Sequence, residues 1–114
     1  MHLLMADYLH NAISKRLKES ERELKQVKYA AALSLIDLEI ENKFLDLFEL
    51  ENKLATARVR QDKFKRLYHQ GRIDQVVFQR HNRKVNVLLE RYYKLKEKIN
   101  DLCYERANIQ SHNL

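Results

Sequence analysis

Five histidines are the side chains in this sequence best suited to binding a metal ion or moving a proton. They lie far apart along the chain, at His2, His10, His69, His81 and His112. Helical metal sites use pairs such as His-x-x-x-His, because residues four apart share one face of the helix. The sequence contains neither this pair nor a Cys-x-x-Cys pair. We therefore expect no metal site within one chain, although self-association could bring copies of one histidine together.

Paired carboxylates in a spacing that suits acid–base catalysis are not found either. Glu39 and Glu41, and likewise Glu49 and Glu51, are two residues apart, so their side chains diverge on a helix. Glycine-rich phosphate loops, nucleophile motifs and the Glu-x-x-His repeats of di-iron bundles do not occur. The prediction is a protein that is not an enzyme, with no catalytic residue and no cofactor. Cys103 is the single cysteine; we interpret it as a small residue on a helix flank, with an intermolecular bridge or a reactive thiol as the alternatives.

Basic side chains gather in one part of the sequence. Residues 60–98 hold twelve Lys or Arg against four acids, whereas residues 29–59 hold three against six. The members of this basic patch are Arg60, Lys63, Arg66, Arg72, Arg80, Arg83 and Lys84. A solvated face is the default interpretation, and a docking surface for an acidic partner or for phosphates is the alternative. Nucleic-acid binding is not favoured, because most aromatic residues fall on the packing face and no DNA-binding motif is present.

The elements that position these residues are predicted to be helices. The 114 residues include no proline and one glycine, and 33% are charged. Apolar residues recur at alternating three- and four-residue steps on both sides of Gly71, which is the pattern of one helix packing on another. The two series are mirror images about that glycine. We therefore predict an all-α fold, a long, coiled-coil-like antiparallel helical hairpin that turns at Gly71.

The mirror also predicts which residues face each other across the hairpin. The apolar pairs are Phe64 with Phe78, Ala57 with Val85, Leu54 with Leu88, Leu50 with Tyr92, Leu47 with Leu95, Ile40 with Leu102 and Leu33 with Ile109. Two polar positions interrupt the series, and we expect His81 opposite Gln61 and Arg106 opposite Ile36. A polar layer lowers stability but fixes register, so His81 is interpreted as structural.

Four residues carry the predicted turn. Gly71 can adopt the left-handed conformation that ends a helix, and Asp74 is a good N-cap for the next one. Ile73 and Phe78 have the spacing of a hydrophobic staple across that cap. The alternative is one uninterrupted helix that tolerates the glycine at a cost of about 1 kcal/mol.

The chain is predicted to be one domain, residues 1–114, with arms of unequal length. The parts are an N-terminal segment 1–30, a first arm 31–70 and a second arm 74–110. The N-terminal segment either overhangs the second arm or folds back, with Asp7 or Asn11 as a helix cap, and the charged stretch 13–28 is expected to be helical. A helix from about Asn11 to Gln70 would be about 90 Å long against about 55 Å for the second. The first arm therefore overhangs the second by about twenty residues, and unless residues 1–30 fold back this overhang needs a partner.

The most apolar part of the first arm is apolar on two sides. Besides the face that meets the second arm, it carries Leu35, Leu38, Leu45, Phe48 and Val59, of which the first four are the predicted interface residues. A two-helix hairpin covers one side of each helix, so this second set predicts an oligomer interface. A homodimer with crossed long arms, which forms a four-helix bundle, is the simplest closed arrangement. A helix from another protein is the alternative occupant.

A family resemblance accompanies these patterns. Phe44, Leu45 and Phe48 are followed by Tyr68, Gly71 and Phe78. In this spacing the stretch from Leu38 to Val85 resembles the long helical hairpins of TolC-type outer-membrane efflux proteins. Lys63, Leu67 and Asp74 fall at the three positions of the Arg-x3-Leu-x6-Ser tip motif of HlyD-type adaptors, with Lys in place of Arg and Asp in place of Ser. The resemblance implies a detached hairpin of an export or efflux assembly.

The cellular location is predicted from segments that the sequence lacks. The uncharged run from Tyr29 to Ile36 is too short to span a bilayer as a helix. Residues 1–10 lack the basic and apolar regions of a signal peptide. The expectation is a cytoplasmic protein without a membrane span, or a periplasmic one if the chain is a piece of an efflux protein.

Overall fold

The computed structural model describes residues 2–112, with side chains from residue 5 onward. Two helices make up the fold, α1 (His2–His69) and α2 (Gln75–His112). They pack side by side as an antiparallel hairpin, and no strand occurs between residues 2 and 112. The all-α hairpin that turns at Gly71 is therefore confirmed. The molecule measures 104 × 17 × 16 Å, and its long dimension is the length of α1, because 68 helical residues span about 102 Å.

The C-terminus of α1 is closed by a capping motif at Gly71. Gly71 has a φ of 70°. Its backbone N–H donates to the carbonyl of Tyr68 at 3.0 Å, and the N–H of Arg72 donates to the carbonyl of Leu67 at 2.9 Å. These two bonds form a Schellman motif around a residue in the left-handed conformation. A Cβ at position 71 would meet no atom within 4 Å, so the backbone angle and not the space requires glycine.

The N-terminus of α2 is capped by Asp74. Its Oδ1 accepts a hydrogen bond from the backbone N–H of Val77 at 2.9 Å, which is the contact between an N-cap and the third helical residue. Ile73 and Phe78, which have staple spacing, are both half-buried. Two adjacent caps let the chain reverse direction between His69 and Gln75.

Six apolar side chains form the buried core, three from each helix. They are Ile36, Leu47, Leu54, Val85, Ile99 and Leu102, each 4–8% exposed. All six belong to the apolar series predicted from the sequence. No polar or charged side chain between residues 5 and 112 is buried. The core is thin, because two helices enclose a single line of side chains.

The register between the helices differs slightly from the predicted mirror. Three polar contacts define it: Gln61 Nε2 donates to Asn82 Oδ1 at 2.8 Å, the Tyr92 hydroxyl donates to Glu51 Oε1 at 3.4 Å, and Arg106 pairs with Asp37. Each pair is centred midway between Gly71 and Arg72. The true centre therefore lies half a residue beyond the predicted one.

Near the turn the shift is larger, and the expected pairing of His81 is wrong. His81 stacks on Phe64 with ring centroids 3.5 Å apart, instead of facing Gln61. Phe78, predicted opposite Phe64, stacks on Tyr68 with centroids 4.8 Å apart. Both α2 rings thus meet α1 residues closer to the turn than a mirror about Gly71 predicts.

The direction of the side chains explains the shift. Cα–Cβ bonds tilt toward the N-terminus of a helix, which is away from the turn on α1 and toward the turn on α2. Each α1 side chain therefore meets an α2 residue further along the chain than its mirror image. For the same reason Arg106 bonds to Asp37, whereas a mirror about Gly71 places Arg106 opposite Ile36.

α1 is a single helix through the N-terminal segment. It begins at His2, so Asp7 and Asn11, which were predicted as caps, lie inside the helix. The charged stretch 13–28 is helical throughout. With 68 residues in α1 against 38 in α2, the difference in length is 30 residues and exceeds the expected overhang. No glycine or proline occurs before Gly71, and nothing else in the sequence interrupts the backbone hydrogen bonds.

The overhang is the part of α1 beyond the reach of α2, residues 2–28. Every side chain from Lys15 to Lys28 is exposed, whereas Tyr29 is half-buried. Tyr29 shares a groove with Ile109 and His112, near the end of α2. Most helical stability in proteins comes from tertiary packing of an apolar face, so the overhang has little within its own chain to keep it helical.

Candidate interaction surfaces

The four residues predicted as an oligomer interface are open to solvent. Leu35, Leu38, Leu45 and Phe48 are 69%, 55%, 64% and 64% exposed. Ile36, one residue from Leu35, is 5% exposed. The hairpin therefore covers one face of α1 and leaves a second apolar face uncovered.

The exposed apolar face extends far beyond those four residues. From Ile13 to Val59, alternating steps of four and three residues define one continuous line on α1. The large apolar residues on it are Ile13, Leu17, Leu24, Val27, Leu38, Leu45, Phe48 and Val59, each 55–70% exposed. The remaining positions are Ser20, Ala31, Ser34, Glu41, Asn52 and Ala55. We call this line the second seam, and the line that packs against α2 the first seam.

The two seams lie on nearly opposite sides of α1. At 3.5 residues per turn their centres are about 150° apart around the helix axis. Leu35 flanks the second seam. The sequence prediction placed Leu38, Leu45, Phe48 and Val59 on this face and did not connect them with the N-terminal part of the seam. The signal that identifies the N-terminal part is the unbroken four–three step, which continues past the point where α2 stops.

All seven residues of the basic patch are exposed, and the turn brings them to one end of the molecule. Arg60, Lys63 and Arg66 lie on α1, Arg72 lies in the turn, and Arg80, Arg83 and Lys84 lie on α2. None of the seven forms an ion pair with an acidic side chain within residues 5–112. Their positive field is therefore directed at solvent, where it can attract anions.

His81 lies at the edge of the basic patch and within the first seam. It lines a groove with Arg60 and Lys84 and stacks on Phe64. Partial burial, followed by the charges of Lys84, Arg80 and Arg60, lowers the pKa of His81 below its ordinary value. The neutral ring is favoured, which suits a packing role beside the Gln61–Asn82 hydrogen bond.

The far end of the hairpin is joined by an ion pair between helices. Arg106 Nε donates to Asp37 Oδ1, and Arg106 Nη2 donates to Asp37 Oδ2 at 3.4 Å. Hydrogen bonding to Asp37, with its charge, raises the pKa of Arg106. Because both side chains are partly exposed, the pair fixes register more than it stabilises the fold.

With these surfaces described, the chain can be set against known proteins. Comparisons with family models, curated proteins and solved structures find no match. The function is therefore argued from the molecule's own surfaces.

Other kinds of site have little support in the described part of the chain. No group of three or more His, Cys, Asp or Glu side chains suited to a metal ion occurs between residues 5 and 112. Within α1 and α2 as described, no segment is long and apolar enough to cross a membrane. Cys103 is exposed on α2. Eight of the exposed large apolar side chains between residues 5 and 112 lie on the second seam.

Proposed function

We propose that this chain is a non-enzymatic helix–helix interaction module that self-associates through the second face of α1, as a homodimer or within a larger assembly. The observation that carries the proposal is the exposure of Leu35, Leu38, Leu45 and Phe48. On the first seam of the same helix, Leu47 and Leu54 are buried. A helix that is apolar on two sides needs cover on two sides.

The energetics favour an occupant for the second seam. Moving a leucine or phenylalanine side chain out of water is favourable by about 1.5–3 kcal/mol, and eight large apolar side chains on this seam are each at least 55% exposed. Contiguous apolar patches of more than a few hundred Å² are uncommon on monomeric proteins and mark interaction sites. Association also costs translational and rotational freedom, which the burial of this seam has to exceed.

A second copy is the simplest occupant. It brings an identical seam, and a two-fold axis then closes the interface so that both second seams are covered. The product is a four-helix arrangement of two hairpins. The overhang supports this proposal, because its apolar side chains would then be covered and its helix held by tertiary contacts.

The test is a pair of charged substitutions on the second seam. Leu38→Asp with Leu45→Asp places two carboxylates in each copy of the proposed interface, where they cannot keep their hydration. We expect the wild-type protein to be oligomeric by light scattering and the double variant to be monomeric or unfolded by light scattering and circular dichroism.

A matched control separates the loss of the seam from the change in charge. Lys53→Asp alters the net charge by the same amount at an exposed position off both seams, and it is expected to leave the oligomer intact. An unchanged, fully helical oligomer in the double variant, or a wild-type protein that is monomeric at high concentration, would remove the proposal.

A further inference from the structure

We infer that the second copy lies antiparallel along the second seam, with the two-fold axis level with Ile36, so that the overhang of each copy packs on the paired arm of the other. This inference rests on the proposed self-association and specifies its geometry. It is carried by the order of residues along the second seam and by the distribution of charge beside it.

The second seam reads nearly the same in both directions. Its residue types are mirrored about position 36: Ile13 corresponds to Val59, Leu17 to Ala55, Ser20 to Asn52, Leu24 to Phe48 and Val27 to Leu45. In these five pairs apolar residues correspond to apolar residues and the one polar pair is uncharged, whereas the two central pairs, Ser34 with Leu38 and Ala31 with Glu41, each join a polar and an apolar residue. An antiparallel pair of identical helices places these positions opposite each other, as the hairpin itself does about its turn. The apolar residues of this series are exposed in the single chain.

The centre of the seam discriminates between antiparallel and parallel arrangements. In a parallel, in-register pair every seam residue faces its own copy, and Glu41 would face Glu41 of the second copy inside the interface. Two like charges taken out of water together are strongly unfavourable. In the antiparallel arrangement Glu41 faces Ala31 of the second copy, whose small side chain leaves the carboxylate a path to solvent. Leu35, 69% exposed, then lies beside its own copy near the two-fold axis.

Charge along α1 supports the same direction. Residues 13–28 hold six Lys or Arg against three acids, and residues 44–59 hold two against three. The antiparallel arrangement sets these two stretches side by side with net charges of opposite sign. A parallel pair would set the positive stretch 13–28 beside its own copy and would bring both basic patches to one end.

The resulting assembly explains the length of the overhang. The second seam covers 46 steps along the helix, from Ile13 to Val59, and these span about 70 Å at 1.5 Å per residue. About one third of this length lies on the overhang and two thirds on the part of α1 that α2 already supports. Each marginal helix is therefore held against a stable one, and the two basic patches point away from each other at opposite ends.

Disulfide trapping tests this geometry. Ser20→Cys and Asn52→Cys are introduced into separate chains that also carry Cys103→Ser, and the two proteins are mixed and mildly oxidised. In the antiparallel arrangement these two positions face each other within the distance that a disulfide can bridge. We expect the Ser20→Cys chain to link to the Asn52→Cys chain at least tenfold more than either links to itself, as measured by intact mass.

The control and the other outcomes are equally defined. Lys53→Cys, one residue further along and about 100° around the helix, should not link to Ser20→Cys. A dimer in which Ser20→Cys links to itself overturns the antiparallel arrangement and leaves the proposed self-association standing. A dimer with neither link overturns the register. A monomeric Cys103→Ser protein by light scattering would instead remove the proposed function, and the inference with it.

Discussion

The two seams of α1 carry similar residues, but the first is buried against α2 and the second is exposed. On the first seam Ile36, Leu47 and Leu54 are 5–8% exposed; on the second, Leu38 and Leu45 are 55% and 64% exposed. The difference arises from connectivity, because the chain supplies only one helix after the turn and that helix can cover only one side of α1. Residue type therefore predicts which positions need burial, and the available partner helices decide which of them are buried within one chain.

The two seams should differ in how their stability depends on concentration. Contacts within one chain are independent of protein concentration, whereas contacts between copies strengthen as concentration rises. Substitutions on the two seams should therefore respond differently to dilution.

The largest effect is expected from a cavity in the first seam. Leu54 is 7% exposed, and Leu54→Ala should lower the free energy of unfolding by about 2–3 kcal/mol at every concentration, as is usual for buried leucines. Leu45→Ala, at a position 64% exposed, should matter little in dilute protein and progressively more in concentrated protein. Chemical denaturation at two concentrations measures both. Equal, concentration-independent losses in the two variants would contradict the distinction between the seams.

A smaller effect of opposite sign is expected from Glu41. It is exposed in the single hairpin but lies at a seam position. Glu41→Leu should tighten self-association by at least about tenfold, because a buried leucine replaces a charge and each buried leucine contributes about 1.5–3 kcal/mol. Sedimentation equilibrium measures the change. Glu39→Leu makes the same substitution at an exposed position off both seams, and similar tightening there would show that added hydrophobicity alone is responsible.

The smallest effect is a pH dependence confined to the first seam. The pKa of His81 is lowered in the folded chain, so below its ordinary pKa the unfolded chain binds the proton more readily. The contribution of His81 to the free energy of unfolding is therefore fully present above about pH 6.5. It is lost as the pH falls below that value.

Thermal unfolding at pH 7.5 and pH 5.5 measures this dependence. His81→Gln should reduce the difference in melting temperature between the two pH values, although the variant also loses the stack on Phe64 at both. His69→Gln, at an exposed position next to the turn, should leave the difference unchanged. An undiminished pH dependence in His81→Gln would assign the titration to other groups.

The fold follows from the sequence because its signals are local and repeated. The three–four step fixes the buried face, as the burial of Ile36 and Leu102 shows, and Gly71 marks the turn because its backbone angle excludes most other residues. The register is not available from spacing alone. It depends on the tilt of each side chain toward the N-terminus of its helix. Because of this tilt, His81 stacks on Phe64 and does not face Gln61.

The start of α1 and the extent of the second seam were harder to predict. Asp7 and Asn11 resemble caps, but a cap acts only where the chain leaves the helix, and nothing upstream of them within the described residues ends α1. In the overhang, apolar residues such as Leu17 and Leu24 are diluted by charged neighbours. Their membership of the second seam becomes clear only when the step is followed across the end of α2.

The single short turn also dictates the order in which the hairpin assembles. Closing the chain between Gln61 and Asn82 orders a loop of 21 residues, whereas closing it directly between Asp37 and Arg106 orders one of 69. The longer closure carries an extra entropic penalty of about 1 kcal/mol. Nucleation at Gly71 followed by zippering toward the chain ends is therefore the favoured route. Pulse-labelled hydrogen exchange should show amides near the turn protected first and those of the overhang last.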